Sequence, residues 1–129
     1  LHSAIKGDDY ECFVHENSRI PFMTMPDAIK SISMIMDAES SQLKRRIYNV
    51  RGFAPRAKDF ELEIIKSFPK FSVSYIPNQD RQRMVNSWPD DVNDAEAIKD
   101  WGWNPSLELS RAFSNYLIPG TKHLYTLKA

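Results

Sequence analysis

Three tryptophans, Trp88, Trp101 and Trp103, fall within sixteen positions of one another. An indole is large, usually buried, and well suited to walling a ligand pocket. Trp101 and Trp103 flank Gly102 at the end of a short predicted helix, where the expectation is core packing. Trp88 follows a polar loop, precedes Pro89 and lies outside any apolar stripe; on pattern alone, packing and pocket wall are both open for it. Other candidate groups are sparse. Asp90, Asp91 and Asp94 have the chemistry for a divalent cation, but no turn glycine or second acidic cluster accompanies them. Acids ahead of a helix are also favoured by its dipole. Lys44-Arg45-Arg46 could meet phosphates, and fits better as the end of a helix and its loop. His15-Glu16 is followed by Arg19 rather than a second His, so no zincin motif is present. His2, His15 and His123 lie in polar or terminal segments and read as surface residues. Cys12 has no His or second Cys at ligand spacing and reads as a small buried filler; alone, it forms no internal disulfide. Gly7, Gly52, Gly102 and Gly120 are too widely spaced for a phosphate-cradling loop. No Gly-x-Ser-x-Gly elbow occurs.

The elements that must position these groups are set by proline and glycine punctuation. The opening 25 residues read as extended, with Tyr10, Cys12 and Val14 alternating and then Ile20, Phe22 and Thr24 after a polar turn. Pro26 and Asp27 suit the start of a helix, and Ala28, Ile29, Ile32, Ile35 and Met36 give it an apolar face to about Ala38. Ile47 to Val50 reads as a short strand stopped by Gly52. Pro55 opens a second helix carrying Phe60, Ile64, Ile65 and Phe68. Phe71 to Tyr75 alternates cleanly as a strand. One helical turn is expected around Arg81 to Val85. Asn93 with Glu96 has the capping-box spacing for a helix to Asp100. A last helix spans about Leu107 to Leu117, stopped by Pro119-Gly120, with a tail after it. Strand and helix alternate in the middle, so the class is α/β, with a sheet too small to close a core by itself.

Composition bounds the function. The chain has 129 residues, 17 Lys plus Arg against 17 Asp plus Glu, and 42% hydrophobic residues. That balance fits one globular domain and argues against a generally basic nucleic-acid binder. No run of about 18 apolar residues is long enough to span a membrane. The segment Leu1 to Lys6 lacks the apolar region of a signal peptide, and a Leu start suits either a processed chain or a piece of a longer one.

The stretch Asp80-Arg81-Gln82, Ser87-Trp88-Pro89, Asp94 and Asp100-Trp101-Gly102-Trp103 resembles the C-terminal region of L-threonine 3-dehydrogenases of the extended short-chain dehydrogenase/reductase type, relatives of nucleotide-sugar epimerases. Upstream, Tyr10-x-Cys12-Phe13 and Pro21 to Ile29 are similar to the segment preceding that family's substrate-lobe helix. Tyr48-Asn49 and Phe71 to Pro77 resemble two of its strands. The likeness runs from about Ala4 to Leu117. It implies the C-terminal substrate-lobe portion of an NAD(P)-binding Rossmann-type fold with an incomplete sheet: residues 1–118 as the lobe, 119–129 as a tail. The family's reaction is NAD-dependent oxidation of L-threonine to 2-amino-3-oxobutyrate, using a Tyr-x-x-x-Lys pair and a Gly-rich dinucleotide loop.

Those catalytic parts do not carry over. Four residues after the five tyrosines stand Val14, Gly52, Gln79, Gly120 and Ala129, with no lysine among them. Trp88 does carry over, matching the tryptophan that helps cover the threonine pocket; its implied role is water exclusion and orientation. Arg81 is expected to be structural. Thr24 departs from the family's usual aromatic residue, and Arg51 to Arg56 from its Ser/Thr-Pro helix start. The expectation is therefore a chain that is not catalytic alone and binds no cofactor by itself. NAD would be held by a missing N-terminal half or a companion chain. The complete enzyme is expected to be a homodimer, mitochondrial if eukaryotic and cytoplasmic if bacterial, with no nucleic-acid partner. The alternative is a degenerate dehydrogenase half serving as a structural or interaction subunit of a larger assembly.

Overall fold

A computed structural model describes residues 1–127 of the chain. The sheet has two parallel strands, β1 (Tyr10–Cys12) and β2 (Val73–Tyr75), in register Tyr10 to Val73, Glu11 to Ser74 and Cys12 to Tyr75. Parallel pairing needs a long crossover, and here the crossover holds two helices. Beyond the strands the pairing continues, with Tyr10 N–H donating to Ser72 C=O, and Ile76 and Asn78 N–H donating to Cys12 and Phe13 C=O.

Helix α1 (His2–Lys6) precedes β1, where the sequence had suggested extended chain. Gly7, at φ 81°, ends it in the left-handed conformation that favours glycine. Helix α2 (Met25–Asp37) starts where Pro26 and Asp27 predict. Its N-cap is Thr24, whose hydroxyl accepts from Asp27 N–H at 3.4 Å. Thr24 therefore has a local use in starting α2. Helix α3 (Ala57–Ser67) begins at Arg56, whose N–H donates to the Asp59 carboxylate at 2.8 Å. Helix α4 (Gln79–Asn86) is a full two turns rather than one, capped by Asn78 Oδ1 on Arg81 N–H. Helix α5 (Ala95–Trp101) ends at Gly102, again left-handed at φ 72°. Its N-cap is Asp94 rather than Asn93; Asn93 Oδ1 accepts from Ala95 N–H, and Glu96 pairs with Arg45 at 3.1 Å instead of closing a capping box.

The two other expected strands are absent. Residues 20–24 contribute only the bridge Phe22–Phe53, beside an adjacent Arg19–Arg56 bridge, and residues 47–50 pair with nothing. A strand needs a neighbour ladder, and Tyr48 and Val50 pack instead by side chain against the tryptophans. The C-terminus also differs. Helix α6 (Leu109–Ala112) passes into a π-helical turn (Phe113–Leu117) and then helix α7 (Ile118–Thr126). The expected stop at Pro119-Gly120 and the tail expected from 119 are thus replaced by helix to Thr126; Lys128 and Ala129 lie outside the described residues. Proline clashes with the carbonyl four residues back in a plain α-helix. Here the ladder has just slipped by one, with Ile118 N–H donating to Phe113 C=O.

Two apolar clusters hold the chain. Ala4, Ile64, Phe113 and Ile118 join α1, α3 and the C-terminal helices, with Phe60, Phe68 and Phe71 against them. Ala97, Trp101 and Trp103 form the other, covered by Met34 and Ile35 of α2 and by Tyr48 and Val50. Asp27 ties α2 to the segment before α6: wholly buried, its carboxylate accepts from Ser106 N–H at 2.7 Å and Leu107 N–H at 3.1 Å. It was expected only to complement the helix dipole. The opposite side of α2 is bare, with Met25, Ile29, Ile32 and Met36, four and three residues apart, all more than half exposed. No described helix is long and apolar enough to cross a membrane.

Candidate functional site

Trp88 stands just past the C-terminus of α4. Ser87 closes the helix, its hydroxyl donating to Met84 C=O at 2.7 Å, and Trp88 N–H donates to Val85 C=O at 3.0 Å. The last turn therefore fixes where the backbone of Trp88 lies. Its side chain remains 48% exposed and lines an open apolar cavity of about 480 Å³. β1 and β2 lend Cys12, Val73 and Tyr75 to that cavity, α3 lends Phe60, and α4 lends Met84. A cleft of this size with mostly apolar walls and a few polar groups is the usual form of a small-molecule site. Trp101 and Trp103, by contrast, are buried in the second cluster, as the glycine-flanked pattern predicts.

The polar groups on the cleft are few and engaged. Tyr75 hydroxyl donates to Glu61 Oε2 at 2.7 Å, and Lys58 Nζ donates to the same oxygen at 2.8 Å. Burial pushes the Tyr75 phenol up, and the Glu61 carboxylate beside it pushes further. Tyr75 is thus a neutral hydrogen-bond donor and not a proton acceptor. Burial opposes the charge on Glu61, but the Lys58 and Tyr75 hydrogen bonds outweigh it and hold the carboxyl below the usual glutamate range. Arg81 does not reach into the cleft as a ligand group. Its guanidinium lies 4.4 Å over the Phe13 ring, a cation–π contact that ties α4 to the segment after β1.

The remaining candidates are scattered. His2, His15 and His123 are exposed, and Cys12 is buried without a bonding partner. Asp91 pairs with Arg51, Asp94 holds the N-cap position of α5 without a side-chain cap bond, and no group of three His, Cys, Asp or Glu able to hold a metal occurs among the described residues. Lys44, Arg45 and Arg46 lie in the loop after α2, with Arg45 paired to Glu96. Gln82 carried part of the family resemblance but was given no role of its own: its amide bonds across to the segment after β1. The signal was the Arg-Gln pair one α4 turn ahead of Ser-Trp-Pro.

No protein-family profile matches the chain. Among curated proteins, it is 29% identical over 117 residues to the mitochondrial L-threonine 3-dehydrogenase of Bos taurus, covering 91% of this chain and 31% of that protein. It is 31% identical over 108 residues to an uncharacterized epimerase/dehydratase of Staphylococcus haemolyticus, covering 83% of this chain and 34% of that protein. The chain thus spans about a third of the length of these relatives. Among solved structures, the holo GalE-like L-threonine dehydrogenase of Cupriavidus necator superposes with a TM-score of 0.82 at 33% identity, covering 88% of this chain and 38% of that one. The L-threonine dehydrogenase of Clostridium difficile superposes with a TM-score of 0.86 at 25% identity, covering 95% and 39%. Over most of its length the chain is therefore a homologue of part of the L-threonine 3-dehydrogenases and epimerase/dehydratase proteins, with the fold of the matching portion of GalE-like extended short-chain dehydrogenases.

Proposed function

We propose that the chain is the C-terminal, substrate-binding portion of an NAD-dependent L-threonine 3-dehydrogenase, and that it is not catalytic alone. The observation carrying this reading is the apolar cleft bearing a half-exposed Trp88, in a chain whose solved relatives include threonine dehydrogenases. The lobe is residues 1–118, extended by the helix that follows. Trp88 covers the threonine side of the site, excluding water and limiting the orientations open to the substrate.

The glycines do not fit a dinucleotide-binding role. Gly7 and Gly102 terminate helices, and Gly120 lies within α7. Gly52 is closely approached by the chain itself: a Cβ there would meet Phe22 O at 3.0 Å and Met23 Cα at 3.1 Å. Gly7, Gly52 and Gly102 thus have local uses, and no two of the four glycines stand at the spacing of a pyrophosphate loop. NAD is accordingly assigned to an N-terminal half or companion chain, in an enzyme that is a homodimer, mitochondrial in a eukaryote and cytoplasmic in a bacterium.

Reconstitution with a nucleotide-binding half tests the proposal. Threonine-dependent reduction of NAD is expected from the pair and from neither part alone. In the reconstituted enzyme, Trp88→Ala is expected to raise the threonine KM or lower kcat with little change in NAD affinity; an unchanged kcat/KM for threonine would return Trp88 to a packing role.

A second reading is favoured by the bare apolar stripe on α2, since contiguous exposed apolar surface marks an interaction face. In it, the chain is a degenerate dehydrogenase half acting as a structural subunit. Co-purification in a large assembly that shows no threonine-dependent NAD reduction would establish this reading over the first.

A further inference from the structure

Helix α4 carries no buried residue, so burial alone does not hold it in place. Yet it supplies one wall of the cleft through Met84 and Val85 and leads directly into Trp88. Beside the Arg81 guanidinium over Phe13, what fastens it to the segment after β1 is the amide of one side chain. Gln82 Oε1 accepts from His15 N–H at 2.7 Å and from Ser18 hydroxyl at 3.2 Å. Gln82 Nε2 donates to Ser18 Oγ at 2.9 Å and to Asn86 Oδ1 at 2.7 Å. One amide therefore spans the gap to the segment after β1 and also braces the last turn of α4, two residues before Trp88.

We infer that Gln82 is a positioning residue for Trp88, fixing the separation of the two cleft walls and the direction from which the indole covers the site. The inference rests on the reading of Trp88 as a pocket wall, but the placement it describes is measurable without activity. Only an amide meets the need. It offers an acceptor to His15 and Ser18 and donors to Ser18 and Asn86 at once. A carboxylate in its place keeps the first and loses the second. A thioether of similar length offers at most a weak acceptor.

The test uses the full chain labelled with 5-fluorotryptophan, the Trp88 signal being assigned by its loss in Trp88→Phe. Gln82→Met is expected to shift and broaden the Trp88 fluorine resonance and to increase its quenching by acrylamide, while the Trp101 and Trp103 resonances stay in place. Gln82→Glu should restore part of the shift, because the acceptor bonds remain. Ser18→Ala should act in the same direction as Gln82→Met. It also decides the matter if Gln82→Met unfolds the chain: movement of Trp88 alone supports positioning, and joint movement of all three resonances overturns it. An unmoved Trp88 resonance in Gln82→Met overturns it directly. In the reconstituted enzyme, Gln82→Met should raise the threonine KM about tenfold at nearly unchanged kcat, equivalent to about 1.4 kcal/mol of binding. A moved resonance with unchanged kinetics in both Gln82→Met and Trp88→Ala would leave Gln82 as a positioning residue and refute the role of Trp88 in the threonine site.

Discussion

Trp88 and Trp103 lie fifteen positions apart and live in opposite surroundings. Trp103 is 1% exposed and Trp88 48%. Around Trp103, every layer is closed: Trp101 lies 5.9 Å away ring to ring, Lys30 stands over the indole, and Nε1 donates to Arg51 C=O at 3.1 Å. Around Trp88, the helix before it buries nothing and the cavity beside it is open. The same residue type is a buried keystone in one region and a half-exposed cleft wall in the other. What separates them is backbone. A left-handed glycine turns Trp103 back onto α5, with Trp103 N–H donating to Ala97 C=O, whereas Trp88 follows an ordinary helix end and meets a proline.

That contrast can be broken by mutation. The largest effect is expected from Trp103→Ala, which removes a fully enclosed indole; urea denaturation should show a loss of about 3–5 kcal/mol. A loss under one third of that range would mean the cluster collapses readily and is no keystone. Gly102→Ala is expected to cost about 1–2 kcal/mol, because an L side chain is strained in the left-handed conformation. The space around its Cβ is open, so a neutral result would have to mean a changed helix end, visible as altered exchange of the Trp103 amide.

Acidity should act on the cleft. The Glu61 carboxyl is held below its ordinary value of about 4.3 when folded. Its stabilising contribution is therefore present above that value and disappears as pH falls through the lowered folded one. The stability gap between the protein and Glu61→Gln should close as pH drops from 5 toward 3, read from urea midpoints; a constant gap would show that Lys58 and Tyr75 do not hold the charged form. The smallest effect is expected from Trp88→Ala on folding itself, within about 0.5 kcal/mol. A cost near that of Trp103→Ala would erase the distinction between the two regions.

Much of this contrast was legible before any fold was known. Helices α2 and α3 follow from apolar spacing and from the prolines at their ends, α5 from the glycine that stops it although its expected capping box does not form, and β2 from its clean alternation. Glycine between two tryptophans pointed to the buried cluster. The failures have physical causes. Residues 20–24 and 47–50 have strand-like composition, but the first finds only a single bridge, Phe22–Phe53, and the second none. Helix α1 is a single turn and a half closed by one left-handed glycine, too short to leave a periodic pattern. Asp27 looked like a dipole partner because its real partners, the Ser106 and Leu107 amides, lie some eighty positions away. For the site, Trp88 stood out by type, whereas the glutamine that fastens its helix acts through long-range hydrogen bonds that local spacing does not encode.

The π-helical turn at Phe113–Leu117 has a consequence for how this segment tolerates changes in length. A π turn holds one residue more than the α turn it replaces. Phe113 and Ile118, five positions apart, thereby share one apolar cluster. Delete one residue among Ser114, Asn115 and Tyr116, and the two become four apart in plain α register, still on the same side. A deletion in α2 has no such reserve, and would swing everything after it by about 100°. Pro119 sets the limit, since the shortened helix would carry it as an ordinary interior residue at a cost of about 3 kcal/mol. Shortening should succeed only when that proline is replaced as well.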